Sequence, residues 1–215
     1  MPRRSLSRIG SAAFVAAGLG LAGLPALSAD ADGNFAIKGA GVQTCSKFLA
    51  DWDAAGQNMA LYAGWIEGYA TGLNQHTENT YDLIPWQTTD TLLGMMRLYC
   101  GEEHGETRFI DRFVALMRDL APLRLAARSD VGAIRHGDRA MIIYHDVLRA
   151  VEGRLNQEGF PVSAGDDVYT RDTALALEAF QQQRGLAVTG LPDQRTLLEL
   201  FLNPGNDADG AGSTD

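Results

Sequence analysis

Cysteine is scarce in this 215-residue chain, with Cys45 and Cys100 the whole supply. Neither lies near residues 26–31, so lipid attachment at an N-terminal cleavage site is not expected. Long apolar runs are missing after residue 32, and none approaches the roughly 20 residues that a membrane-spanning helix requires. Basic residues are outnumbered, 18 Lys and Arg against 27 Asp and Glu, for a net charge of −9. A chain of that balance offers no broad electrostatic footprint for nucleic acid or anionic lipid. Hydrolase signatures are lacking too: there is no His-Glu-x-x-His and no Gly-x-Ser-x-Gly elbow. The richest local groups are His76-Thr77-Glu78 and Glu102-Glu103-His104, while His136 and His145 stand apart. The adjacent Glu102 and Glu103 sit in a polar loop and do not by themselves flank a sugar ring as glycosidase carboxylates do. Asp207-Ala208-Asp209-Gly210 begins like a calcium loop without its later ligands. No catalytic residue, metal or cofactor is expected.

What is present begins with Arg3, Arg4 and Arg8, followed by the uncharged, Ala- and Gly-rich run Ile9–Leu24, which Pro25 breaks. Small residues then fall at Ala26-Leu27-Ser28 and Ala29-Asp30-Ala31. Charged, apolar and small-residue regions in that order predict a secretory signal peptide over residues 1–29. The Arg3-Arg4 pair is a partial match to a twin-arginine signal, so the general and twin-arginine routes both stay open. Cleavage after Ser28 removes three arginines, leaving 15 basic against 27 acidic residues and a net charge of about −12. The mature chain is expected in the periplasm or outside the cell, with no stable membrane insertion after cleavage. In an oxidising compartment an even pair of cysteines reads as a Cys45–Cys100 disulfide. Such a bridge stabilises by about 4 kcal/mol in the chain-entropy model. A reactive thiol with a resolving partner is the alternative.

From Cys45 to Leu120 the apolar spacing is helical. Cys45, Phe48, Leu49 and Trp52 share one face. Gln57–His76 continues with Leu61, Trp65, Ile66, Tyr69 and Leu73, and its small residues (Ala60, Ala63, Gly64, Gly68, Ala70, Gly72) permit close approach of a neighbour. Thr89 or Asp90 is a candidate cap for a third helix that stops at Cys100-Gly101. A fourth covers about Glu106–Leu120, ended by Pro122. Residues 123–139 mix charge and glycine with little periodicity and are predicted to be an interdomain linker. Beyond it, Ile143, Val147, Val151 and Leu155 lie four apart on one helix face. Thr170-Arg171-Asp172-Thr173 starts a second helix with Ala174, Leu177 and Phe180 inward. After the Gly190-Leu191-Pro192-Asp193 turn comes a third, with Leu197, Leu198 and Phe201. The tail, residues 203–215, has too little apolar surface to fold and is predicted to be disordered.

The ordered series Val151, Leu155, Gly159-Phe160, Asp166-Asp167-Val168-Tyr169, Thr173, Ala176, Phe180-Gln181, Gly185-Leu186, Thr189-Gly190, Asp193, Thr196 and Leu200 resembles the peptidoglycan-binding-like domain family. The resemblance covers about residues 140–202. It implies a three-helix module of the kind appended to cell-wall hydrolases and other envelope proteins, with peptidoglycan as partner. The chain departs from the family where Asp166-Asp167 and Tyr169-Thr170 replace Asp-Gly and aromatic-Gly, a loop whose backbone freedom glycine would supply. The polar residues able to hydrogen-bond sugar, N-acetyl or peptide carboxylate groups are Tyr169, Asp172, Gln181, Gln182, Arg184 and Arg195.

Cys45-Ser46-Lys47-Phe48, Trp65-Ile66-Glu67-Gly68-Tyr69-Ala70-Thr71-Gly72-Leu73-Asn74 and Leu98-Tyr99-Cys100 form a second, looser pattern. It resembles small exported helical proteins such as HdeA-type acid-stress chaperones and Tai-type immunity proteins. That likeness implies a disulfide-closed helical domain without choosing between chaperone and inhibitor. The expectation is therefore an all-α chain. A helical domain at 30–122, closed by Cys45–Cys100, is joined through the linker at 123–139 to a three-helix bundle at 140–202. Its expected role is that of a non-enzymatic envelope protein binding peptidoglycan and an unknown periplasmic protein. A wall hydrolase with an unrecognised catalytic domain, and a chaperone or immunity-type inhibitor, are the alternatives.

Overall fold

A computed structural model describes residues 30, 32–54, 58–163 and 168–203. The expected signal peptide, the Asp166-Asp167 loop and the tail beyond Asn203 lie outside the described residues. The helical expectation holds: seven α-helices carry the described chain, with a Cys45–Cys100 disulfide and one small sheet. No described helix is long and apolar enough to cross a membrane.

The first four helices are α1 (Cys45–Asp53), α2 (Met59–His76), α3 (Thr89–Cys100) and α4 (Phe109–Leu120). Thr44 caps α1 by accepting from the Lys47 N–H at 3.2 Å, and Thr88, one residue before the expected position, caps α3 in the same way from Thr91. Such caps satisfy backbone donors that a helix start leaves open. Phe48, Tyr62, Ile66, Met96, Phe109, Phe113 and Leu116 bury themselves between these helices. The disulfide ties the first residue of α1 to the last of α3. Close approach occurs at a different glycine from those expected. A Cβ on Gly64, Gly68 or Gly72 would meet nothing within 4 Å, whereas one on Gly41 would sit 2.4 Å from the Trp65 ring. The small residues of α2 thus leave open space, and Trp65 packs onto the turn before α1.

Residues 123–139 differ from a linker. Leu125 is buried, and β1 (Val131–His136) pairs antiparallel with β2 (Arg139–Tyr144) around the two-residue turn Gly137-Asp138. Gly137 takes φ +59°, the conformation that tight hairpin turns demand and glycine adopts freely. Ile143 therefore belongs to β2, opposite Gly132, and the helix expected to contain it, α5, runs His145–Gln157.

Helices α5, α6 (Arg171–Gln183) and α7 (Gln194–Leu202) enclose Val151, Leu155, Leu177, Phe180, Leu197 and Leu200. A Thr170/Thr173 capping box starts α6 and Asp193 caps α7. The described residues from 37 to 203 make one compact unit. Within it two apolar cores meet: Leu123, Leu198 and Leu202 pack against both. Trp86, from the loop before α3, belongs to the second core and lies 5.8 Å from the Phe201 ring.

Candidate functional site

The chemistry of the C-terminal half starts at Gln181. On α6 it follows Ala174 by seven residues and Leu177 by four, which puts it on the apolar face; it is 0% exposed. A buried amide must find partners for both ends. Gln181 Oε1 accepts from the Thr189 and Gly190 N–H groups at 2.7 and 2.9 Å. Its Nε2, with two hydrogens to give, lies 2.8 Å from the Leu191 carbonyl and 2.9 Å from the Thr189 and Thr196 hydroxyls. Thr189 donates in turn to Asp193 Oδ2 at 2.9 Å, while Asp193 Oδ1 accepts from the Thr196 N–H and hydroxyl, both at 2.9 Å.

The turn so formed is also held from outside. Tyr169 donates its phenol to the Gly190 carbonyl, and burial, with the Glu178 carboxylate nearby, pushes that phenol up to about 12. His136, at the end of β1, places Nε2 2.8 Å from Glu178 and lays its ring on Gly190. Gly190 has φ +64°, and a Cβ there would come within 2.6 Å of that ring. Side chain and backbone both demand glycine.

The six residues expected to meet peptidoglycan do not converge. Tyr169 and Gln181 hold the 189–191 turn. Arg184 is nearly buried, 3.0 Å from Glu158 and over the Phe180 ring, pinning α6 to the end of α5. Asp172 is exposed beside a 480 Å³ hollow walled by Phe160, Val162, Leu175 and Ala176. Gln182 is exposed elsewhere on α6, and Arg195 is exposed at a 650 Å³ groove that also borders Trp52 and Leu98. The histidines are scattered as well. His104 lies 3.7 Å from Glu103, and no group of three or more His, Cys, Asp or Glu that could hold a metal ion occurs among the described residues.

Sequence reasoning missed the cleft beside this turn. It encloses about 630 Å³, within the range of small-molecule sites. Pro85–Thr88 forms one wall, Arg139–Ile143 of β2 another, and Thr189, Leu191, Gln194 and Leu197 a third. Gln194 locks the first wall to the third: its Nε2 donates to the Trp86 carbonyl, and its Oε1 accepts from the Thr88 N–H at 3.1 Å and the Thr91 hydroxyl at 2.7 Å. Two lining side chains are differently placed. Trp86 and Gln87 are each 8% exposed, and Trp86 Nε1 and Gln87 Nε2 have no hydrogen-bond partner among the described residues. Each buried orphan donor of this kind costs about 1–3 kcal/mol.

Three helices around one apolar core, two of them capped by side chains, with a turn fixed by a buried amide, define a small three-helix module. Its span is the one that comparison picks out: residues 145–200 match the family model described as Putative peptidoglycan binding domain. That match runs from the first residue of α5 into the last turn of α7 and leaves the hairpin and the Pro85–Thr88 loop outside it. Searches of curated proteins and of solved structures return no match.

Proposed function

We propose that this protein is an exported, non-catalytic envelope component that holds peptidoglycan through its C-terminal module, while the helical half at 30–122 contacts another envelope protein. The match of residues 145–200 to a peptidoglycan-binding family carries the reading. The Cys45–Cys100 disulfide supports an oxidising compartment. The start of the chain, with its charged, apolar and small-residue order, supports export. Of the polar residues expected at the wall, Asp172, Gln182 and Arg195 are exposed and available for contact; Tyr169, Gln181 and Arg184 serve by shaping the surface. For a protein partner the supporting feature is Leu98 on α3, 79% exposed and bordering the same groove as Trp52 and Arg97.

Co-sedimentation of the purified protein with isolated sacculi tests the first part. The protein is expected in the pellet, in amounts that saturate with added protein and fall when free muropeptides compete. Recovery in the supernatant, under conditions where a known wall binder sediments, removes wall binding.

A further inference from the structure

The hairpin is a sheet of two strands, so each strand keeps one edge that no neighbouring strand covers. The two-residue turn Gly137-Asp138 makes His136 and Arg139 a hydrogen-bonded pair, and the pairing alternates from there. Arg139, Met141 and Ile143 therefore direct their main-chain groups to β1. The N–H and C=O of Ala140 and Ile142 point the other way, and no hydrogen bond reaches them among the described residues. This outward edge is a wall of the 630 Å³ cleft, lined by every residue from Arg139 to Ile143. Ala140 is exposed there, and Ile142 is 73% exposed. The strand carries no proline and no bulge, the usual devices that keep a further strand off an edge. The opposite edge, on β1, opens only on a 300 Å³ hollow beside Val168 and Tyr169.

Size and charge say what can add to β2. Its five lining residues run roughly 16 Å at the rise of a strand. Spread over that length, 630 Å³ is a slot roughly 40 Å² in section, close to the footprint of one strand, about 4.8 Å by 10 Å. The edge of another sheet would bring two strands or more and strike Pro85–Thr88 across the cleft. A single short peptide fits. At the turn end, Arg135 and Arg139 are exposed and make no ion pair among the described residues. Asp138 in the turn offsets one of these charges, and Asp193 has both oxygens taken by Thr189 and Thr196. That end suits a carboxylate.

Resting on the wall-binding reading, we propose that the edge of β2 pairs with a stem peptide of peptidoglycan, laid extended in the cleft with its carboxylates toward Arg139. Stem peptides are short, single and acidic, as this slot requires. Their diamino residue has the L configuration in the main chain, so its N–H and C=O exchange both hydrogen bonds with Ile142 as a strand residue does. Because β2 lies outside the segment that matches the family, this contact is an addition to the three-helix module.

The test uses the full chain labelled with ¹⁵N, with the Ala140 and Ile142 amide signals followed by NMR. The probes are a free stem peptide, an N-acetylglucosamine tetramer, and a capped all-L peptide of alternating Val and Thr that stands for a protein strand. The stem peptide is expected to shift both signals and slow their exchange with deuterium, and the glycan to move neither. The capped peptide brings no carboxylate to Arg139 and is expected to bind at least tenfold more weakly. Ile142→Pro removes an N–H that does not serve β1, a position where edge strands accept proline. It is expected to weaken stem-peptide binding at least tenfold with the melting curve close to wild type. Arg139→Gln leaves the main chain intact and is expected to weaken binding at least threefold and flatten its salt dependence.

Ala140 and Ile142 signals unmoved by the stem peptide, or moved as much by the glycan, overturn the proposal. So does a capped peptide that binds as tightly as the stem peptide, which would assign the edge to a protein strand. Wild-type binding by Arg139→Gln overturns it even if Ile142→Pro fails to fold. If the edge fails while the protein still sediments with sacculi, wall binding stands without it. If the stem peptide pairs but sacculi leave the protein in the supernatant, the pairing stands and the wall-binding reading falls.

Discussion

Gln194, the first residue of α7, uses its amide to hold Trp86, 108 residues earlier in the chain, by a hydrogen bond to the Trp86 carbonyl. Thr88 and Thr91 complete the clasp from the start of α3. Gln194→Ala leaves a backbone N–H, a hydroxyl and a carbonyl without this partner and is expected to lower stability by about 2 kcal/mol. Urea denaturation, with the slope unchanged, measures it. A loss under about 0.5 kcal/mol would mean that the clasp is dispensable.

The two neighbouring glutamines of α6 should behave in opposite ways. Gln181→Leu strips the 189–191 turn of its amide partners inside the core and is expected to cost about 3 kcal/mol. Gln182→Ala, on an exposed face, should stay within about 0.5 kcal/mol of wild type. Thermal melts of both variants decide whether Gln181 holds the 189–191 turn.

Glycines divide similarly. Gly64 and Gly68 are exposed on α2 with open space where a Cβ would go, so alanine at either should stabilise by about 0.5–1 kcal/mol through helix propensity. Gly41→Ala should destabilise instead, because its Cβ would strike the Trp65 ring and Ile37. A melting temperature raised by Gly41→Ala would contradict the packing of Trp65.

Reducing the disulfide opens a link between residues 55 positions apart. Reduction is expected to cost about 4 kcal/mol. A melt with and without dithiothreitol, checked by Cys45→Ala/Cys100→Ala, measures this loss.

Three tyrosines set the alkaline limit. Burial, the first cause in each case, raises Tyr62, Tyr99 and Tyr169 from an ordinary value of 10.0 to about 12. The folded chain favours the protonated phenol, so this contribution is complete below the unfolded value of 10 and disappears as pH rises through about 12. Stability should hold steady below pH 10 and fall between 10 and 12. Tyr62→Phe should make that fall shallower; an unchanged slope would separate Tyr62 from the alkaline transition.

Much of this architecture is written in periodicity. Apolar residues three and four apart marked α1 to α4, and Thr170 and Asp193 announced α6 and α7. The hairpin escaped because charged residues and glycines at 128–139 masked its alternation. Its usable signal was Gly137-Asp138, two turn residues between Ile134 and the Met141–Ile143 run. The burial of Gln181 was also legible, since it continues the 174–177 apolar spacing; its polar side chain drew it into the ligand set instead. The cleft was out of reach. Trp86 and Gln87 lie in a loop without periodic pattern, and only the fold brings them beside β2 and α7.

Because Leu198 and Leu202 of α7 face two cores at once, the C-terminal module is not freely portable. Grafted alone onto another protein as the three helices of residues 145–202, it would carry an oily, uncovered flank where the N-terminal helices had lain, and would keep only part of the cleft. A useful graft would bring the Pro85–Thr88 loop along or repaint that flank with polar side chains.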